Sequence, residues 1–504
     1  MWQIEVPQGA RPLGYRKLVE DFNLKTISHF CWSYISPKSE RKTFHYKDQN
    51  LTLYIYPNNH PPSKDIFEDL EFALKHEGVN LFILKKVLML IELSKITSYI
   101  LNRPTGKYAR ILWYLYEKFT HTFLDIPDVR QGGYVTILDP EQYYCGIDKR
   151  SRRHRIVDNL LGSINFAPLV RKTTLIEEFE KKDLYQKTQQ IVQNYDSRLL
   201  ERAMRYLYTK ETISSWEIER EKPDNEKLIK FVALLHQADS IGKLSEDTFI
   251  ELQNNIVDPR FAAHSYRDFQ NYVGEEPALG KLIVHFITPR PEDVRDFMNQ
   301  LIETYYFIET AGVNPIVAAA VLSFMFVFIH PFEDGNGRIH RFLIHFVLAR
   351  LKFTPEGFLF PISAAIARNP KKYDKVLETF SAPLMKLVTK YKVNDIGEMT
   401  VQEDTSDYYR YIDFTPIVEY LYECVDRTIA IDLSEELNFL ASYDQIKRLC
   451  QEIVDMPDQR IDLFIKCVRQ NNGSLSAKKR ESHFKMLTLQ EISRMEEIIG
   501  NHQK

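Results

Sequence analysis

The sequence is poor in glycine and proline, which contribute 18 and 23 of its 504 residues, and this scarcity argues against a low-complexity or largely disordered chain. Its five cysteines are widely spaced and form no CxxC pair. Neither a disulfide framework nor a cysteine zinc site is therefore predicted, and a reducing compartment fits best. The formal net charge is only −3, so no overall field attracts nucleic acid or an anionic lipid surface.

Long apolar runs are also missing. The amino terminus has no stretch of the kind that forms a signal peptide. The longest weakly polar stretch, Ile316 to Ile329, has only fourteen residues, whereas a membrane-spanning helix needs about 20. We therefore predict that this stretch is a buried core helix, that the protein is cytoplasmic and that it has no membrane partner.

The length and the composition of the chain favour a large folded protein of about three domains. Hydrophobic residues make up 44% of the chain, which is enough for a substantial core. We predict a mainly α protein with a mixed α+β region over 1–200, a helical domain over 201–400 and a helical module over 401–504. In the first region, alternating residues from Thr43 to Tyr56 predict a β-hairpin with its turn near Asp48 to Asn50.

One dense positive run, Lys149 to Arg155, has the sequence KRSRRHR. Two interpretations are open: a solvated loop or helix start, and a contact with nucleic acid. No aromatic residues are interleaved with the basic ones, as binding of single-stranded nucleic acid would require. We therefore favour the solvated segment and predict no nucleic-acid partner.

Residues 266–290 interrupt the helical pattern of the central domain. Gly274, Pro277, Gly280 and Pro289 surround a short apolar run there. Chain breakers on both sides of a short strand predict an irregular hairpin, or flap, between two helices.

The segment from Asn314 to Arg350 carries the most information about chemistry. Asn314 is a favourable N-cap, and the proline that follows it suits the first helical position. The helix must end near His330, because the next residue is Pro331 and proline disfavours helical dihedrals in its predecessor. A second helix is predicted to begin around Gly335 to Gly337, so two buried helices flank one short polar loop.

This second helix start has the features of an anion site. Glycines at a helix N-terminus leave the backbone N–H groups accessible, and phosphate is the most common anion bound in this way. Arg338 and Arg341 are three residues apart, so both side chains project from one face of the helix toward the same anion.

The loop also supplies acid–base and metal-binding groups. His330 is a suitable general base for a hydroxyl nucleophile at neutral pH. Either Asp334 or Glu333 could hold Mg²⁺, which binds phosphates through one or two protein carboxylates and water. Together with the anion site, these groups indicate phosphoryl or nucleotidyl transfer from a magnesium nucleotide.

The twelve residues from His330 to Arg341, HPFEDGNGRIHR, resemble the signature of the Fic domain, H-x-F-x-(D/E)-G-N-G-R-x-x-R, at every specified position. The resemblance extends over roughly residues 200–400, and the flanking regions resemble extensions of some long bacterial Fic proteins. It implies a Fic-type helical core with a β-hairpin flap, and an enzyme that transfers AMP from ATP to a Ser, Thr or Tyr hydroxyl of a target protein. On this basis His330 deprotonates the hydroxyl and Asp334 ligates Mg²⁺ or Mn²⁺.

The resemblance assigns the remaining motif residues to the phosphates of ATP. The amides and Asn336 around Gly335 to Gly337 would cradle phosphate, and Arg338 and Arg341 would neutralise the triphosphate. Catalysis on this basis consists mainly of orientation and electrostatic stabilisation at the transferred phosphorus.

The resemblance also implies a way to hold the target. The flap near Tyr272, Val273 and Gly274 would bind the backbone of the target protein by strand addition. The implied partners are therefore ATP and an unidentified protein, with the enzyme itself as a further candidate target.

Many Fic proteins carry an inhibitory helix with the pattern (S/T)-x-x-x-E-(G/N). In this sequence the segment near 211–221 places Ser215 and Glu219 at that spacing, but Arg220 stands where Gly or Asn is expected. On the family model Glu219 would pair with Arg341 and remove the partner that the γ-phosphate needs. The alternative is an ordinary carboxylate on a helix surface.

Four alternatives remain open at this stage. Within the same fold these are transfer of a phosphate or of another nucleotide, and removal of AMP. Doc-type phosphotransferases resemble this fold but depart from the GNG pattern, so the intact Gly335 and Gly337 favour nucleotidyl transfer. Outside catalysis, the chain could be an inactive Fic-like binding module, although His330 and Asp334 are both intact.

Overall fold

The structure, a computed structural model, describes residues 6–46, 50–238, 240–275 and 282–502, and these residues form a mainly helical protein with four small sheets. The predicted fold class is therefore confirmed. The strands are β1 (Arg11–Leu13), β2 (Cys31–Ile35), β3 (Lys42–Tyr46), β4 (Leu51–Tyr56), β5 (Val135–Thr136), β6 (Lys149–Ser151), β7 (Ile156–Asp158), β8 (Tyr272–Glu275), β9 (Ile283–Ile287), β10 (Tyr391–Val393) and β11 (Met399–Val401).

The helices are α1 (Tyr15–Asp21), α2 (Ile66–Phe72), α3 (Leu81–Leu90), α4 (Leu93–Asn102), α5 (Lys107–Thr120), α6 (Thr174–Lys181), α7 (Leu184–Gln193), α8 (Ser197–Ile218), α9 (Asn225–His236), α10 (Glu246–Ile256), α11 (Pro291–Ala311), α12 (Pro315–Ile329), α13 (Asn336–Arg350), α14 (Ile362–Ala367), α15 (Pro370–Leu387), α16 (Thr415–Arg427), α17 (Ser434–Ile453), α18 (Asp458–Gln470), α19 (Ala477–His483) and α20 (Leu489–Asn501). Short π-helical turns extend α2 and α16, and short 3₁₀ turns lie at 259–261 and 406–409.

The amino-terminal part combines a four-stranded sheet with helices. The strand order is β1-β2-β4-β3, with β2 and β4 parallel and the other pairs antiparallel. The predicted hairpin is confirmed, because Thr43 in β3 lies opposite Tyr54 in β4. Asp48 and Gln49 of its predicted turn lie outside the described residues. One face of β4 is buried and the other is half-buried, which matches its alternating sequence.

The basic run is solvated only in part, because Arg150 and Arg152 are exposed whereas Arg153 is not. Arg153 lies in the turn between β6 and β7, where its side chain is only 15% exposed and forms ion pairs with Glu117 at 3.1 Å and Asp128 at 2.7 Å. Its guanidinium also lies 3.7 Å from the ring centroid of Phe123. Arg153 therefore fastens loops within the protein, because carboxylates distant in the sequence neutralise it.

The central core is built around α12, whose residues from Ile316 to Phe326 are all buried. A helix that is apolar on every side is stable only when other elements surround it, and α11, α13 and α16 pack against α12. The prediction of a buried core helix is confirmed. Among the helices that the structure describes, none combines the length and apolar character needed to cross a membrane.

Two hairpins lie beside this core. β8 and β9 form the predicted flap, and their register shifts between Val273 and Gly274. Pro277 and Gly280 of the predicted flap lie outside the described residues. The second hairpin pairs β10 with β11 and contacts the flap, where the Tyr272 hydroxyl donates a hydrogen bond to the Gly397 carbonyl at 3.2 Å.

The carboxy-terminal helices α17 to α20 enclose a separate small core of residues between 446 and 499. The larger cores draw their buried residues mainly from positions 15–169 and from positions 144–437. Thr488 and Glu491 form the predicted capping box at the start of α20. The domain limits at 200/201 and 400/401 stay predictions.

Candidate active site

The site is built where α12 ends and α13 begins. The Asn314 side chain caps the start of α12 by accepting the N–H of Ile316 at 3.0 Å. At the other end the helix stops before Pro331, as expected, and His330 adopts a left-handed conformation with φ of 54°. Non-glycine residues in this conformation are strained by about 1–2 kcal/mol, and such strain concentrates at functional sites.

Arg267 holds this helix end in place, and the sequence offered no motif that would single it out. Its side chain donates hydrogen bonds to the carbonyls of His330 at 2.8 Å, Phe269 at 2.7 Å and Pro289 at 2.7 Å. The residue is only 6% exposed, and burial lowers its pKa to about 10. Arg267 therefore ties the end of α12 to both ends of the flap.

The His330 ring is poised as a base. Its Nδ1 lies 3.1 Å from the carbonyl oxygen of Val327, which can only accept a hydrogen bond. Nδ1 therefore carries the proton and Nε2 keeps a lone pair. Burial, assisted by the positive charge of Arg267, lowers the pKa of His330 to about 4, so the ring is neutral at physiological pH.

The loop between the helices is fixed by Asn336. Its side chain accepts the Phe332 N–H at 3.1 Å and donates to the Phe332 carbonyl at 2.8 Å. Phe332 is buried in the core, and Glu333 is exposed. Both polar ends of the Asn336 side chain are thus engaged, so the group of this residue that can meet a phosphate is its backbone N–H.

Only one oxygen of the Asp334 carboxylate accepts hydrogen bonds from the described residues. Its Oδ1 accepts hydrogen bonds from the Gly335 N–H at 2.6 Å and from Nη2 of Arg338 at 2.8 Å. Its Oδ2 has no hydrogen bond with any described residue, and the side chain is 45% exposed. One free carboxylate oxygen beside the predicted phosphate site fits Mg²⁺, which keeps most of its ligands as water and phosphate oxygens.

Gly335 has φ of 88° and precedes the first turn of α13, so this position requires glycine. Its amide and those of the next residues mark a helix N-terminus, where the dipole favours an anion. In this structure the anion beside them is a carboxylate. A Cβ at Gly337 would overlap the Oε1 of Glu219.

Glu219 stands at the end of α8 and contacts both arginines of α13. Its Oε1 accepts a hydrogen bond from Nη2 of Arg341 at 2.6 Å, and its Oε2 lies 2.9 Å from Nε of Arg338. Ser215, one turn earlier, completes the contact, since its hydroxyl and its carbonyl each accept from Arg341 at 2.7 Å. The Arg338 guanidinium also lies 5.3 Å from the ring centroid of Trp216. The structure thus brings the predicted inhibitory pair onto the predicted phosphate ligands.

The backbone conformation of Arg220 gives the physical reason why the inhibitory pattern has Gly or Asn after the glutamate. It has φ of 59°, its N–H donates to the Glu217 carbonyl at 2.9 Å, and the Glu221 N–H donates to the Trp216 carbonyl at 3.0 Å. These two bonds form a Schellman motif, in which the residue after the C-cap takes the left-handed conformation that glycine and asparagine tolerate best. Arginine makes the same turn with strain.

The predicted flap residues lie on β8. Val273 is 43% exposed, and a side chain at Gly274 would overlap the carbonyl oxygen of Ile283. β8 and β9 pair only with each other among the described residues, so each has a free edge. Asn271, just before β8, donates to the Phe332 carbonyl at 3.2 Å and joins the flap to the active-site loop.

Comparisons with known proteins agree with this site. The model of the Fic/DOC family matches residues 243–348, which include the flap, α12 and most of α13. A Fido domain-containing protein of Dictyostelium discoideum is 41% identical over 107 residues, which make up 21% of this chain and 67% of that protein.

Other relatives are more distant. A "Protein adenylyltransferase Fic" of Nematostella vectensis is 22% identical over 245 residues, covering 47% of this chain and 44% of that one. The "Protein adenylyltransferase fic-1" of Caenorhabditis elegans is 29% identical over 116 residues, covering 22% and 21%. The chain thus spans less than half the length of these two proteins.

Among solved structures, a Fic domain-containing signalling protein from Bacteroides thetaiotaomicron matches with a TM-score of 0.37 and 22% identity, over 51% of this chain and 96% of that one. The family match at α12 and α13, together with a relative that is 41% identical over two thirds of its own length, confirms the predicted resemblance, and the chain belongs to the Fic/DOC family.

Proposed function

We propose that the protein is an adenylyltransferase that moves AMP from ATP to a Ser, Thr or Tyr hydroxyl of a target protein. The observation that carries this proposal is the position of the Glu219 carboxylate, which lies between Arg338, Arg341 and the first turn of α13. A site that holds a carboxylate with two buried arginines at a helix N-terminus is suited to a phosphate chain. The names of the relatives from Nematostella and Caenorhabditis support AMP as the transferred group.

In the proposed reaction, Nε2 of His330 takes the proton of the target hydroxyl. The hydroxyl oxygen forms a bond to the α-phosphorus of ATP, the bond from that phosphorus to the bridging oxygen breaks, and pyrophosphate leaves. His330 begins the step neutral, because burial holds its pKa at about 4. The Val327 carbonyl fixes the tautomer that leaves Nε2 free.

Asp334 would hold the metal ion, and Mg²⁺ bound there supplies positive charge for the phosphates as the leaving group departs. Arg338 and Arg341 would bind the outer phosphates, and the amides of Asn336 and Gly337 would cradle them, while the Gly335 amide donates to Asp334 and the glycine shapes the turn. This function requires that Glu219 first release both arginines. We therefore propose that Ser215 and Glu219 inhibit the enzyme, and that ATP binds productively only after α8 shifts.

The flap completes the proposal. A free strand edge at Tyr272, Val273 and Gly274 would hold an extended segment of the target through backbone hydrogen bonds. Arg267 supports this arrangement, because it contacts the backbone of the flap ends and of His330.

The test uses ATP labelled separately at the α- and γ-phosphates, with the Glu219→Gly protein and its Glu219→Gly,His330→Ala counterpart. We expect α-label, and a mass increase equal to AMP, on the enzyme itself or on an added target, and no label with the His330 variant. Retention of γ-label instead would indicate phosphotransfer. Failure to label in folded protein with either ATP or other nucleotides would support an inactive binding module.

A further inference from the structure

The strand β3 forms an uncovered edge of the amino-terminal sheet. It pairs with β4 on one side, and the sheet ends there among the residues that the structure describes. The side chains of 42–45 are exposed, and β3 contains no proline, a residue that commonly blocks pairing at a sheet edge. The strand therefore offers unpaired backbone groups to another strand.

Hydrogen bonds on the far side of β4 show which backbone groups of β3 are unpaired. The Thr52 N–H donates to the Phe30 carbonyl at 2.8 Å, next to β2. Four residues further along β4, the Tyr56 carbonyl accepts the Ser36 N–H at 2.8 Å. The backbone groups of the even-numbered residues of β4 thus face β2. Since consecutive residues of a strand direct these groups to opposite sides, the odd-numbered residues of β4 face β3.

The register of β3 against β4 then fixes the free groups. Phe44 lies opposite Leu53, an odd-numbered residue of β4, so Phe44 directs its N–H and its carbonyl toward β4. Its two neighbours, Thr43 and His45, direct theirs the other way, toward the uncovered edge. The N–H and carbonyl groups of these two residues are the ones that a further strand would meet.

This edge is complementary to itself. Thr43 and His45 lie symmetrically on either side of Phe44, so a two-fold axis at Phe44 brings Thr43 of one copy opposite His45 of the other. In an antiparallel pair, residues opposite each other in this way exchange both of their backbone hydrogen bonds. The symmetric pairing therefore satisfies every outward backbone group between 43 and 45 in both copies.

The side chains suit the same register. Phe44, which is 38% exposed, comes opposite Phe44 of the second copy, and such aromatic pairs stabilise a sheet. Phe44 shares a sheet face with the fully buried Leu53, so the pair extends the apolar layer of the core. Lys42 comes opposite Tyr46 rather than another lysine, and Glu40 already neutralises it at 2.9 Å. No like charges therefore meet within the paired strands.

We propose that β3 (Lys42–Tyr46) pairs antiparallel with β3 of a second copy of this chain, so that two amino-terminal sheets join into one continuous sheet across a two-fold axis. The self-complementary register and the absence of a like-charge contact favour a second copy over an unrelated strand. The pairing does not depend on the proposed function, because the edge is formed by residues outside the active site.

The register is tested by cross-linking full-length Phe44→Cys under mild oxidation, with peptide mapping by mass spectrometry. Opposed residues that do not exchange hydrogen bonds have Cα atoms about 4.5 Å apart, within the range of a disulfide. We expect a disulfide between the two introduced cysteines. Lys42→Cys is the control, since its two copies would be more than about 13 Å apart and should not be linked. Equal linking of both variants, or of neither, would overturn the proposal.

Self-association is measured independently by sedimentation velocity over a series of protein concentrations. Wild type should form a reversible dimer. Thr43→Pro removes an outward N–H and no bond to β4, so it should weaken association at least about tenfold while circular dichroism stays unchanged. Thr43→Val keeps the N–H and should associate like wild type. A monomer at every concentration would leave the edge to a strand of another protein and overturn the proposal, as would unchanged association in folded Thr43→Pro. If Thr43→Pro does not fold, the cross-linking pair decides.

Discussion

The Glu219 carboxylate packs against Gly337 so closely that a methyl group in place of the glycine hydrogen would overlap it. The two residues are more than one hundred positions apart, and they meet because α8 ends beside the first turn of α13. Glycine here leaves room for an anion at the helix N-terminus. In this structure that anion belongs to the protein itself.

This contact also balances buried charge. The side chains of Arg338 and Arg341 are only 3% and 2% exposed, and a buried guanidinium without an anion is strongly destabilising. Glu219 meets this need when no nucleotide is present, and the phosphates of ATP would meet it otherwise. On the proposed function, two anions would therefore compete for one pair of arginines.

The first prediction concerns this competition. In Glu219→Gly, we expect labelling of the enzyme by α-labelled ATP to rise by at least about tenfold, equivalent to about 1.4 kcal/mol, because both arginines become available to the nucleotide. The thermal midpoint without nucleotide should fall, and Mg-ATP should restore it. Labelling is followed by intact-protein mass spectrometry.

The matched control is Glu217→Gly. This residue is exposed at the end of the same helix, so the change removes one carboxylate and adds one glycine without touching the arginines. Its labelling should equal that of wild type. Equal increases in both variants would contradict the specific role of Glu219.

The second prediction concerns the strained turn at Arg220. A non-glycine residue in the left-handed conformation is disfavoured by about 1–2 kcal/mol. Replacing it with glycine removes this strain, but glycine also makes the unfolded chain more flexible, which offsets part of the gain in stability. We expect Arg220→Gly and Arg220→Asn to tighten the end of α8 and to lower basal labelling about two- to threefold. Labelling and the exchange rate of the Glu221 amide measure the effect.

Arg220→Ala separates backbone strain from loss of the guanidinium. Alanine keeps the strain, so this variant should label like wild type. If Arg220→Ala and Arg220→Gly behaved alike, the charge rather than the backbone would be responsible.

The third prediction concerns pH. An ordinary histidine with a pKa of about 6.5 loses half of its base form near that pH, whereas burial lowers the pKa of His330 to about 4. The initial labelling rate of Glu219→Gly should therefore stay level as pH falls from 8 to about 5, and should decline only as pH approaches 4. Circular dichroism at each pH confirms that the protein remains folded. A midpoint near 6.5 would show that the ring is not buried as described.

The fourth prediction concerns Arg267. Arg267→Gln removes donors from the carbonyls of His330, Phe269 and Pro289, and the loss of several buried hydrogen bonds to a charged group should lower the free energy of unfolding by about 3 kcal/mol. Labelling in the Glu219→Gly background should fall as well, because the base and the flap lose their common anchor. Thermal unfolding and mass spectrometry provide the two readouts.

Arg260→Gln is the control for this change. Arg260 lies in the loop after α10, is largely exposed and pairs with Asp258 at 3.0 Å. Neither stability nor labelling should change with it. If Arg260→Gln lowered stability and labelling as much as Arg267→Gln, any arginine change in this loop would be damaging.

Much of the site was predictable from local sequence. Pro331 limits α12, Asn314 caps it, and the glycines around Asn336 start α13, because these effects depend on the backbone preferences of adjacent residues. The unbroken apolar run in α12 likewise required a buried helix. The sequence misled us at Arg153, because the carboxylates that neutralise it are distant in the chain and follow no pattern.

Sequence by itself thus determined which residues sit at the helix ends, since capping, proline and glycine act within a few residues. Only the tertiary structure decided what those ends face. Packing of α8 against α13 and α14 places Glu219 over Gly337 and joins Glu211 to His345 and Ser363, and the fold makes Arg267 the link between the flap and His330. Such contacts join residues that are tens to more than one hundred positions apart, and no short-range preference encodes them.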